Sequence, residues 1–215
     1  MTRARAYIAF SLVVWVACFA VLARTGTWLP FAFTGVTLVA VGLTVRAVPA
    51  GLLWASPRRV AAGLVSGGVM VLLTHLAFAL LVAGVPGIRY ATLELFDLLN
   101  VIGFSPTERT ALIVLVASCE ELIFRGPLLD LAPRPAERSW RRPTRQELVR
   151  VASFAVAYAL TTVPLASPLL VLCALLCGSL WGLMTVVSSS LTVPLLAHVI
   201  WDLGVLVVWP LSASG

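Results

Sequence analysis

Apolar runs, each about the length that crosses a bilayer as a helix, follow one another along this chain with short polar breaks between them. Seven qualify: 6–23, 28–48, 60–84, 109–131, 147–164, 167–187 and 189–209. A span needs about 20 mostly apolar residues, and apart from closed barrels only helices satisfy their own backbone in lipid. Residues 91–104, ATLELFDLLNVIGF, form a shorter mixed stretch in which Glu94 and Asp97 interrupt apolar positions at helical spacing. It is expected to lie on the interface or re-enter the membrane, which leaves room for an eighth helix. The opening MTRAR with its apolar run has the look of a signal peptide. No small-residue cleavage site follows it, so a retained first helix is expected. The pattern predicts an all-α fold, a polytopic transmembrane helix bundle forming one membrane domain over 1–215.

Composition supports this reading. Of the 215 residues 60% are hydrophobic and 11% charged, about half the charged fraction of a soluble domain. The net charge of +6 comes from arginine alone. In a soluble chain that balance would suggest nucleic acid; here the arginines lie in loops between apolar runs, so no nucleic-acid partner is expected. Arg3 and Arg5 precede the first run, Arg46, Arg58 and Arg59 follow the second, and Arg134, Arg138, Arg141, Arg142, Arg145 and Arg150 follow the fourth. The alternate loops hold only Arg24, Arg89 and Arg109. The bias places the N-terminus and the 132–147 loop in the cytoplasm and, with seven spans, the C-terminus outside. Cys18, Cys119, Cys173 and Cys177 all fall in apolar stretches and read as small buried hydrophobes. Gly63 with Gly67 and Gly178 with Gly182 form GxxxG pairs, which let helices approach closely in lipid. No internal repeat is visible, which weighs against an inverted-repeat transporter.

Charges inside spans carry the chemistry. Each costs at least about 2.5 kcal/mol on insertion scales, yet span four holds SCEELIFRG, with Glu120, Glu121 and Arg125, and span seven holds AHVIWDL, with His198 and Asp202. Glu121 and Arg125 are four apart and can pair on one helix face. Glu120 points about 100° away. His198 and Asp202 are again four apart. Bland readings stand beside the functional one: a buried ion pair for Glu121 and Arg125, a protonated carboxyl for Glu120, a structural hydrogen bond for His198 and Asp202. At 1.5 Å per residue, Glu120 lies about 17 Å and His198 about 14 Å from the cytoplasmic ends of their helices. They can therefore meet at one level, and a Glu and a His together at that depth are a functional-site hypothesis.

EELIFRG resembles the EExxxR motif of the CPBP family, the CAAX-protease and bacteriocin-processing membrane proteins, which includes the type II CAAX prenyl endopeptidases and many bacterial Abi proteins. The segment GSLWGLMTVVSSSLTVPLLAHVIWDL is similar to that family's closing pattern of Gly-rich helix, polar turn and HxxxN or HxxxD helix, here His198 and Asp202. The resemblance covers roughly 110–209, and the two motifs stand in order about 75 residues apart. The family's intervening FxxxH is matched by Phe154, but Tyr158 stands where His is expected.

The resemblance implies hydrolysis of peptide bonds in lipidated or membrane-tethered substrates. Glu120 would be the general base for a water. Glu121, paired with Arg125, would fix the helix, and Phe154 would support it. His198 would stabilise the oxyanion while Asp202 orients its ring. Tyr158 would offer a phenol hydrogen bond instead of an imidazole. Two adjacent buried carboxyls do not both ionise easily unless Arg125 neutralises one.

A catalytic zinc wants three protein ligands, typically His-rich, and only His75 and His198 are present. His75 counts about 22 Å into its span, deeper than the rest, and is expected to be a core histidine. No resident cofactor is therefore expected, with room at most for a weak divalent metal such as zinc. The implied partners are lipids and a membrane-tethered peptide, and the implied location is a bacterial plasma membrane. Two other classes stand open: a catalytically impaired scaffold or immunity-type membrane protein, suggested by Tyr158, and a small proton-coupled transporter using Glu120, His198 and Asp202.

Overall fold

The long helices begin where the chain supplies a hydroxyl followed by proline or glutamate. In the computed structural model, which describes residues 3–45, 53, 55–99, 104–130 and 140–211, Ser56, Ser105, Thr144 and Ser167 each accept a hydrogen bond from the backbone N–H three residues on. Ser105 with Glu108, and Thr144 with Glu147, form reciprocal capping boxes, so two orphan donors are satisfied at each helix start. The Ser105 backbone N–H and hydroxyl hold the exposed Glu108 carboxyl below its ordinary pKa.

The helices that result are α1 (Arg3–Thr25), α2 (Leu29–Thr44), α3 (Pro57–Gly84), α4 (Ile88–Leu99), α5 (Pro106–Glu120), α6 (Gly126–Asp130), α7 (Arg145–Thr161), α8 (Pro168–Ser188) and α9 (Thr192–Leu203). A π-helical turn, Glu121–Arg125, joins α5 to α6, and another, Gly204–Val208, extends α9. No strand occurs among the described residues. Among the described residues four helical segments are long and apolar enough to cross a membrane: Arg5–Thr25, Pro57–Gly84, Arg145–Leu165 and Pro168–Ser188. Leu29–Thr44 and Thr192–Val208 are apolar but shorter. Of the stretch 91–104, expected to lie on the interface or re-enter the membrane, 91–99 are helical within α4, while 100–103 lie outside the described residues. So do 132–139 of the 132–147 loop, Arg134 and Arg138 among them, and Arg46.

Burial follows one stripe per helix. On α1 it is Tyr7, Ser11, Trp15, Cys18 and Leu22, and on α2 it is Phe31, Gly35, Leu38 and Gly42. The opposite faces keep large apolar side chains, among them Phe33, Val65, Leu72 and Leu80, more than half exposed. That arrangement suits hydrocarbon surroundings and not water.

Close approaches at glycine bring the polar-bearing helices together. A methyl built on Gly67 would lie 2.7 Å from Ile200 Cβ and 2.9 Å from the Ala197 carbonyl oxygen, and one on Gly63 would lie 2.8 Å from Leu196 Cβ. The first GxxxG pair is thus the seat of α9, which carries His198. The second seats α7: a methyl on Gly178 would lie 3.1 Å from Tyr158 Cδ1, and one on Gly182 would lie 3.0 Å from Val151 Cγ1. Gly35 of α2 lies equally close to Cys119 of α5.

Gly67→Ala should therefore lower the thermal midpoint of the detergent-purified protein, through an overpacking cost of about 1–3 kcal/mol. Gly68→Ala, where a methyl meets nothing within 4 Å, should leave it unchanged. Equal midpoints for the two variants would contradict this packing.

Candidate active site

The π turn replaces the regular helix that the sequence suggests through EELIFR. Its signature bond runs from the Gly126 N–H to the Glu121 carbonyl, five residues back. Such single turns widen a helix locally and concentrate at functional sites. Here the consequence is that Glu120, Glu121, Phe124 and Arg125 are all buried within the bundle.

The two adjacent glutamates serve different partners. Glu121, fully buried, meets His198 Nδ1 through Oε1 at 2.8 Å and Arg125 Nη1 through the same oxygen at 3.4 Å. Glu120 accepts the Trp15 indole N–H on Oε1 at 3.1 Å and the Tyr158 hydroxyl on Oε2 at 2.6 Å. His198 Nε2 then faces Asp202 Oδ2 at 3.4 Å and Glu120 Oε2 at 3.8 Å, both longer than an ordinary hydrogen bond. Four helical segments thus converge: α1 through Trp15, the α5 end through the glutamates, α7 through Tyr158 and α9 through His198 and Asp202.

Aromatic faces complete the surroundings. Trp181 stacks on the His198 ring with centroids 3.6 Å apart. The Arg125 guanidinium lies over the Tyr158 ring at 4.6 Å and near the Trp181 ring at 5.3 Å. Guanidinium stacking of this kind is more favourable away from water, and it supplies part of the compensation that a buried cation needs.

The structure brings together Glu120, Glu121, Arg125, Tyr158, His198 and Asp202. It does not bring in Phe154, which packs with Leu128, Val151 and Val186 instead. His75 also lies elsewhere, stacked on Trp209 at 3.7 Å. One detail differs from the expectation for the imidazole. Its Nδ1 is taken by Glu121, and Asp202 meets the other ring nitrogen. Asp202 is also the most exposed member, its side chain 18% accessible. It lines a largely apolar groove with Trp28, Arg109, Leu112, Val116 and Leu206. This groove lies toward the N-terminal end of α5.

Sequence reasoning missed Trp15 and Trp181. The signal for Trp15 lay in the α1 stripe at 7, 11, 15, 18 and 22, whose periodicity marks it as inward-facing, but its partner 105 residues away left no mark. Trp181 sits one turn from Gly178 and Cys177, on the face that the second GxxxG pair already pointed inward.

Fold and site together define an all-helical integral membrane protein with a carboxylate–imidazole centre enclosed by its helices. Residues 105–204 match the family model described as Rce1-like, type II CAAX prenyl endopeptidase. Over that segment the chain is similar to the Rce1-like family, in line with the resemblance that the EExxxR and HxxxD spacing suggests. The match runs from the α5 cap to Gly204; α1 to α4 precede it. A search of curated proteins and a search of solved structures each returned no match.

Arg125→Ala leaves Glu121 with one partner fewer in a fully buried position, and breaking a buried pair on one side costs about 3–5 kcal/mol. Tyr158→Phe removes a single hydroxyl. Folded yield, read by size-exclusion chromatography in detergent, should fall more in Arg125→Ala than in Tyr158→Phe. Equal yields would count against the pairing.

Proposed function

We propose that this protein is a membrane-embedded endopeptidase of the CAAX prenyl protease type, acting on lipidated or otherwise membrane-tethered peptides. The observation that carries the reading is the approach of Glu120 Oε2 to His198 Nε2 across 3.8 Å, at the junction of α1, α5, α7 and α9. A water held at that oxygen gives a proton to Glu120 and attacks the scissile carbonyl carbon. His198, with Nδ1–H held by Glu121, donates from Nε2 to the oxyanion that forms. Asp202 lies beside that nitrogen, 3.4 Å away. Collapse of the tetrahedral adduct breaks the C–N bond, and the leaving amine takes the proton from Glu120.

The donor set does not fit a catalytic zinc. One imidazole is present, its Nδ1 already committed to Glu121, and among the described residues no three His, Cys, Asp or Glu side chains are arranged to hold a metal. We therefore assign the reaction no metal step, and a divalent ion at most a weak association.

We further infer seven spans. The helical run within 109–130, its π turn included, and the apolar Leu29–Thr44 and Thr192–Val208 would join the four longer segments. The arginine bias supports a cytoplasmic N-terminus, and the family supports a bacterial plasma membrane. Lipids and the tethered peptide are the partners, with no nucleic acid.

A second reading is favoured by one contact. The Tyr158 hydroxyl occupies Oε2 of Glu120 at 2.6 Å, the oxygen that the mechanism assigns to water. A phenol is a poor base with a pKa near 10, and in this position it competes with the nucleophile. The chain would then be an impaired scaffold or immunity-type membrane protein.

Cleavage of a lipidated peptide by the purified protein separates the two. The endopeptidase reading expects cleavage in the wild type and its loss, by about a hundredfold or more, in Glu120→Ala. No cleavage in the wild type, with activity appearing in Tyr158→His, would establish the impaired site. Cleavage that survives Glu120→Ala would exclude Glu120 as the base.

A further inference from the structure

Trp15 is the one contributor to this centre that comes from α1, and the family match does not reach it. Its ring is fully buried, and a buried indole N–H needs an acceptor. The core around α1 offers it aromatic faces: Phe31 with centroids 5.2 Å away at 83°, and Phe124 at 5.9 Å and 81°. Its acceptor is Oε1 of Glu120. Phe124 in turn meets the Tyr158 ring edge-on at 5.2 Å and 64°. The two side chains that donate to Glu120 are thus both braced against one phenylalanine, and each takes a different carboxyl oxygen.

The chemistry of the two donors is unequal. A phenol hydroxyl donates and accepts, so it can turn away or give place to water. An indole N–H only donates. Oε1 is consequently held as an acceptor whatever happens at the other oxygen, and a proton arriving at Glu120 must settle on Oε2. That oxygen faces His198 Nε2.

We propose that Trp15 is a positioning residue that fixes the Glu120 carboxyl plane and directs its proton traffic to Oε2, so that α1 forms part of the reaction centre. This rests on the endopeptidase reading for its catalytic consequence, but the contact itself is testable without activity.

Two measurements on the full-length protein in detergent test it. The first is the indole ¹H–¹⁵N signal of Trp15, assigned by its disappearance in Trp15→Phe, and compared between wild type and Glu120→Gln. The carboxylate-bound indole proton should move upfield when its acceptor becomes a neutral amide. A signal that stays in place shows that the indole does not donate to Glu120 and overturns the proposal, whether or not the protein cleaves peptides.

The second is the steady-state kinetics of Trp15→Phe, which keeps an aromatic ring between Phe31 and Phe124 and removes the donor. It is measured in whichever of the wild type and Tyr158→His cleaves. The expected result is a kcat lower by about ten- to a hundredfold, with KM within about twofold and unchanged folded yield. An unchanged kcat, or a loss confined to yield, would make Trp15 a packing residue only. If neither background cleaves, the endopeptidase reading fails by itself, and the indole signal still decides the contact.

Discussion

One carboxylate, Glu121, ties the reacting parts of this molecule together. It is fully buried and shares Oε1 between the His198 ring and the Arg125 guanidinium. Without it the imidazole would be free to turn, and the arginine would be a buried cation with aromatic faces alone for company. A buried ion pair is not in itself a source of stability, because desolvation can cancel the Coulomb gain. Its value here is geometric. It links the α5 end to α9 at one level and so sets where His198 Nε2 points.

The hydrocarbon surroundings explain why this arrangement needs so many contributors. In lipid the apolar side chains of the helix exteriors gain little by contact with one another, so close backbone approach and polar contacts carry more of the association. The glycines supply the first. Gly63 and Gly67 bring α3 against α9, and Gly178 and Gly182 bring α8 against α7. The second comes from the centre itself, where Trp15, Tyr158 and His198 reach the two glutamates from three other helices. Packing and chemistry are coupled for this reason: the methyl that would crowd Gly178 would press on Tyr158, which in turn holds Glu120.

Much of this was legible in the sequence, and the reasons differ from element to element. Helix positions followed from apolar runs. The separation of roles between Glu120 and Glu121 followed from a hundred-degree step along a helix. The π turn did not, since five-residue hydrogen bonding leaves no periodic trace in so short a segment. The resemblance implied Asp202 as the residue that orients His198; Asp202 lies beside Nε2, and Glu121, on another helix, takes Nδ1. Helical spacing reports neighbours on one helix and is blind to those across a helix pair. Phe154 shows the converse: it falls where the motif asks, yet packs with Leu128, Val151 and Val186.

The enclosed centre depends most on the contact between Glu121 and His198, and nitrogen NMR reads it directly. With histidine labelled by ¹⁵N, the two imidazoles, His75 and His198, are told apart by a His198→Ala variant. The structure predicts that Glu121→Gln shifts the Nδ1 resonance of His198 and leaves both nitrogens of His75 where they were. A His198 Nδ1 resonance indifferent to Glu121 would mean that the α5 end and α9 do not meet through this carboxylate, and the enclosed centre described above would not exist.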